Sequence, residues 1–135
     1  MKASVLSFRA AVLILVAGMI WGIAMAISAN HSTFPAHAHL NLLGWVSLFL
    51  IGIYYHLHPS LDGSRLASVQ VWIWIFATIV LSIGVALIHS GKTAGEPIAA
   101  ASSLLILADA LLFGWLVFQR EHAALDRRPA ATPAE

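Results

Sequence analysis

The chain predicts an all-α integral membrane protein, a bundle of four helices. Three observations predict it. Of its 135 residues, 60% are hydrophobic and only 10% are charged, against roughly 25% charged in an ordinary soluble domain. The mean hydropathy is +0.87. The apolar residues also gather into runs near the roughly 20 residues that a helix needs to cross a hydrocarbon core. Barrel strands would alternate apolar and polar residues over about ten positions, and these runs do not.

The first span, 8–29, follows a basic start at Lys2 and Arg9. It ends in Ile27-Ser28-Ala29, which resembles a signal-peptide cleavage site. Its apolar run is longer than the usual 7–15 residues or so of such a segment, so a retained helix is expected. A polar turn through Asn30 and His31 closes with Pro35. The second span, 37–58, stops at Pro59, and a turn of Ser, Asp and Gly comes next. The third span is 68–90. After the turn at 91–96, Pro97 suits the first turn of the fourth helix, 97–119. These spans form one transmembrane domain over 1–120, and the polar, Pro/Ala-rich tail 121–135 is expected to be disordered. Lys2, Arg9, Arg65, Arg120, Arg127 and Arg128 fall on one side and Lys92 on the other. Both termini are therefore expected in the cytoplasm, with the protein multi-pass in the cell inner membrane.

Composition excludes several chemistries. There is no cysteine, so disulfides, iron–sulfur clusters and thiolate ligation are out. A net charge of +1 argues against nucleic acid. Any metal must be held by His, Asp, Glu, Met or Tyr.

Seven histidines stand in this apolar chain. Ionisable side chains within a membrane are costly and mark function by default, and histidine is the commonest metal ligand. His31, His37, His39 and His89 gather near the outer face, whereas His56, His58 and His122 fall at the cytoplasmic interface. Residues two apart on a helix differ by about 200° in direction, so His37 and His39 face different ways. The His37 face continues through Asn41, Gly44, Leu48, Gly52 and Tyr55. It is small and polar, a groove where a flat macrocycle would lie. The His39 face continues through Leu43, Val46, Leu50 and Ile53. Phase favours His37 as the inward ligand.

The segment His39-Leu40-Asn41-Leu42-Leu43, with Tyr54-Tyr55 and Pro59 after it, resembles the second transmembrane helix of the haem–copper oxidase catalytic subunit, most of all its nitric oxide reductase branch. Ala38-His39-Leu40-Asn41-Leu42-Leu43-Gly44-Trp45 is similar to the short four-helix bacterial proteins grouped with that subunit. The resemblance implies a histidine bound axially to haem near the outer face. The contiguous His-x-Asn match assigns this role to His39, while the spacing to the Tyr-Tyr pair fits His37. No His-His pair or His-x-x-x-Tyr sequence of the family's copper site is visible, so any enzymatic role implied is that of an oxidoreductase short of a complete oxidase.

A six-coordinate haem takes a second axial ligand. His89 closes the third span at similar depth and is the internal candidate, ahead of His31. A haem bridging two copies is the other arrangement. Asn41, Gly44 and Trp45 are expected to contact the cofactor. Trp72 and Trp74 suit an interfacial belt. Gly18 and Gly22 allow close helix approach, as do Ala99 and Ser103, and point to bundling or a homo-oligomer. Asp109, alone and deep in the fourth span, suggests a proton relay, a quinol contact or a hydrogen bond to Thr78 or Ser82. A packed, protonated carboxyl is the plainer expectation.

The expected function is a b-type haem protein for electron transfer or for gas- or quinol-linked redox chemistry, with quinol or a cytochrome as partner. The alternatives are a haem-free copper or zinc protein, since imidazole suits both metals, and a non-enzymatic membrane subunit or scaffold.

Overall fold

The structure, a computed structural model, describes residues 1–125. Helix α1 is Ala3–Ser28 and α2 is Phe34–His39. A π-helical segment, Leu40–Ser47, leads without a break into α3, Leu48–Leu57. A short α4, Pro59–Asp62, precedes α5, Arg65–His89, and α6, Gly95–Leu125. There is no strand among the described residues. Four helices are long and apolar enough to cross a membrane: Ala3–Ser28, Phe34–Leu57, Arg65–His89 and Gly95–Gln119. Residues 126–135, most of the expected tail, lie outside the described residues.

The helices extend beyond the apolar runs where polar residues find partners. α1 starts at Ala3 because Ser4 and Ser7 are buried and satisfied. Asp62 accepts from the Ser4 backbone N–H at 2.7 Å and from its hydroxyl at 3.0 Å, and the Ser7 hydroxyl donates to Leu48 O at 2.6 Å. Asp62, the last residue of α4, thus caps the first turn of α1 from a distant part of the chain. α2 starts at Phe34, since Pro35 fits a first turn. Ser64 caps α5 by accepting from Ala67 N–H at 3.1 Å.

α5 is the central helix, with 44% of its apolar window buried against 22%, 28% and 17% for the other three spans in order. α1 packs along the π segment and α3, α2 reaches across to α5, and α6 packs on α5. Tyr55, Leu48 and Val71 are fully buried between them. Trp74 belongs to this core rather than to an interfacial belt, being only 7% exposed, while Trp72 faces outward.

Glycines set the closest approaches. A Cβ on Gly18 would run into the Asn41 side chain, and one on Gly22 would lie 3.2 Å from His37 Cε1. The Gly-x-x-x-Gly pair of α1 is therefore the seat of the second span. A Cβ on Gly84 would lie 2.7 Å from Ala99 N, so α5 and α6 touch backbone to backbone.

Hydropathy does not predict the π segment. A π turn inserts one residue relative to an α-helix, which rotates the helix before it by about 100° relative to the helix after it. In an unbroken α-helix, His37 would share a face with Tyr55. Here the fully buried residue at that level is Ala36, and His37 is half-buried. Carbonyls along and just after the widened turns gain side-chain donors. Leu43 O accepts from Trp74 Nε1 at 2.9 Å, Leu42 O from the Ser47 hydroxyl at 2.9 Å, and Leu48 O from Ser7. Neighbouring side chains satisfy an irregular backbone in this way within a membrane span.

Candidate functional site

The bundle has two distinct ends. The histidine end carries the turns around 30–33 and 90–94, and the tyrosine end carries the chain start and α4. His31, His37, His39 and His89 all belong to the first.

His39 leaves the last turn of α2 and donates from Nδ1 to Pro35 O at 2.7 Å. That bond makes Nε2 the nitrogen with the free lone pair, the tautomer of a histidine ready to bind a metal. The ring lines a groove of about 570 Å³ between the second span, α5 and α6, within the roughly 300–1,000 Å³ of small-molecule sites. Phe34, Leu42, Leu43, Leu81 and Ile106 make its walls, and Ser103 adds a hydroxyl. The groove is almost wholly apolar with one imidazole at its edge.

His37 points elsewhere. Its ring sits over Gly22 of α1, and Asn41 Nδ2 lies 3.4 Å from both ring nitrogens. Asn41 also donates to His37 O at 2.9 Å. His37 and Asn41 are thus wedged together into the glycine seat of α1 and do not line the groove.

His89 donates from Nδ1 to Val85 O at 3.0 Å and is exposed. It is not part of the groove wall. His31 is exposed in its turn. Among the described residues, no three or more His, Asp or Glu come close enough together to hold a metal ion.

The other expected contacts divide. The space beside Gly44 is filled by Ile14, with Thr78 adjoining, so this glycine serves helix packing rather than the floor of an open groove. Trp45 is 37% exposed on the outer surface of the bundle. The open apolar space lies on the His39 face.

Asp109 does join helices, but its partner is Gln70, which donates to Oδ2 at 2.8 Å. Thr78 and Ser82 do not fill that role, and the Ser82 hydroxyl instead returns to Thr78 O at 2.9 Å. Sequence reasoning missed Gln70 by following ionisable groups. The available signal was a lone amide inside an apolar span.

No known family's sequence profile matches the chain. No solved structure matches it. It is 29% identical over 62 residues to cytochrome c oxidase subunit 1 of Thermus thermophilus, a match covering 41% of this chain. The chain spans 57% of that relative's length. The protein thus combines a helical framework suited to multiple membrane passes with a partial likeness to a haem–copper oxidase subunit.

Proposed function

We propose that this is a multi-pass membrane protein that binds b-type haem in the His39 groove and serves electron transfer. The observation that carries the reading is the His39 imidazole, with Nδ1 tied to Pro35 O at the edge of the large apolar groove. A porphyrin brings its own four nitrogens, so one or two protein ligands suffice. The donor set fits haem better than a bare copper or zinc ion, for which no group of three ligands is gathered among the described residues. The partial likeness to an oxidase subunit supports the same choice.

In this reading His39 Nε2 would hold the haem iron. Leu42, Leu43, Leu81 and Ile106 exclude water and set the dielectric, and Ser103 offers a hydroxyl to a polar edge. When bound, haem supplies one-electron exchange, or gas binding where an axial position stays open. His89, exposed at the same end, is the ligand a second copy would use in a homo-oligomer. Lys2, Arg9 and Arg65 belong to the tyrosine end and Lys92 to the other, a bias that supports a cytoplasmic tyrosine end and a histidine end at the outer face of a cell inner membrane. Quinol or a cytochrome is the fitting redox partner.

Oxidised and dithionite-reduced absorption spectra of detergent-purified protein, with a pyridine haemochrome assay, test this. A Soret band with sharp reduced α and β bands is expected in wild type and in His37→Ala, and its loss in His39→Ala. Loss of the sharp bands with retention of haem in His89→Ala would assign the second ligand. A featureless spectrum from protein made with ample haem overturns the proposal.

A further inference from the structure

A chain of buried polar side chains links three spans at the tyrosine end. Tyr55 Oη donates to Gln70 Oε1 at 2.9 Å, and Gln70 Nε2 donates to Asp109 Oδ2 at 2.8 Å. Tyr55 and Gln70 are fully buried and Asp109 is 2% exposed. Two buried side-chain oxygens have no partner among the described residues, Asp109 Oδ1 and Thr78 Oγ1.

These two are neighbours in depth. α5 and α6 run antiparallel with Gly84 against Ala99, and counting along both helices from that contact sets Thr78 about one turn beyond Asp109, toward the histidine end. Ile106, one turn before Asp109 in α6, lines the His39 groove. Along the bundle axis, Asp109 therefore lies between Gln70 and the groove-lining Ile106.

A purely structural clasp does not require an acid here. An asparagine would accept the same bond from Gln70. A carboxylate with one oxygen bare in the bundle interior is costly, whereas a carboxylic acid has a proton to give from Oδ1. No cation faces it. α5, the helix packed on α6, carries only Arg65 and His89 as charged or titratable side chains, one at each end, and Glu96 stands in the first turn of α6. Tyr54 and Tyr55 are the titratable groups reaching this level from the second span, both against Phe113.

We propose that Asp109 is a proton-exchange site in the bundle interior. Oδ1 exchanges its proton with water on the Thr78 side, while Gln70 and Tyr55 are positioning residues that hold Oδ2. The step is an acid–base exchange: the carboxylic acid gives H⁺ to water, leaving carboxylate and hydronium, and no electron moves. It does not depend on haem.

The test is infrared spectroscopy of the full chain in liposomes, in H₂O and D₂O across a pH series. A carbonyl stretch of a protonated carboxylic acid is expected, absent in Asp109→Asn, shifted in D₂O and declining as pH rises. A band that neither shifts nor titrates marks a locked structural acid and overturns the proposal, as does the absence of any band. Two further measurements avoid reliance on Asp109→Asn folding. Dicyclohexylcarbodiimide adds across its C=N bond the O–H of a protonated carboxyl, giving an O-acylisourea, and mass spectrometry should find Asp109 labelled less as pH rises. Thr78→Val removes a hydroxyl without a partner, so it should leave the melting temperature unchanged yet slow the H/D shift several-fold. An unchanged shift rate in that variant overturns the proposed route.

Discussion

At the tyrosine end, beside local bonds such as His58 to Tyr54 and Ser68 to Ser64, side-chain hydrogen bonds cross between elements far apart in the chain: Ser4 to Asp62, Ser7 to Leu48, Tyr55 to Gln70, Gln70 to Asp109. At the histidine end they mostly return to the preceding turn of the same helix: His39 to Pro35, Asn41 to His37, His89 to Val85, Ser90 to Ala86. The crossings there both run through Thr33, whose Oγ1 accepts from Trp21 Nε1 at 3.2 Å and donates to Met25 Sδ at 3.5 Å. The histidine end is joined instead by close approach at Gly18, Gly22 and Gly84. A side chain tied only to its own helix keeps its far atoms free for a ligand. A side chain tied to another helix spends those atoms on the fold. The same residue types thus leave polar atoms open at one end and serve cohesion at the other.

The largest effect expected from breaking this contrast is at Gly84. Its missing Cβ faces the backbone of Ala99, which cannot swing aside. Gly84→Leu should cost about 3 kcal/mol or more of stability in detergent thermal unfolding, and should reduce haem content because α6 forms one wall of the groove. A variant as stable as wild type would show that close approach does not hold this end. Next is Gln70→Leu, which strands Tyr55 Oη and Asp109 Oδ2. We expect a loss of about 2 kcal/mol with the haem spectrum unaltered. If the spectrum changed instead, the division between the ends would fail. Smallest is Asp62→Ala, which uncaps α1. It should cost about 1 kcal/mol, read as faster amide hydrogen exchange confined to the first turn of α1.

Hydropathy and proline placement made the four spans legible, because the cost of burying polar backbone in lipid leaves few alternatives. Their starts were less so. Ser4 and Ser7 read as polar until Asp62 and Leu48 O are known to satisfy them. At the candidate site, His39 was visible through its local motif, and the structure gives it the groove. An inward His37 requires an unbroken α-helix, and the π segment sets Ala36 there instead. Hydrogen-bond register leaves no mark in hydropathy, so the π segment was invisible. The pairing of Gln70 with Asp109 was hidden for another reason, since it depends on how α5 and α6 align.

The π segment makes chain length, rather than side-chain identity, a determinant of which imidazole faces the groove. Removing one residue between Leu40 and Ser47 would restore a plain α-helix and turn the two halves of the second span against each other by about 100°. Position 37 would then occupy the sheltered place of position 36. The chain has no native cysteine, so thiol labelling of Ala36→Cys and His37→Cys, with and without that deletion, would read the rotation directly. Relatives differing by a single residue in this stretch would turn different side chains toward the groove while keeping both histidines in their alignment.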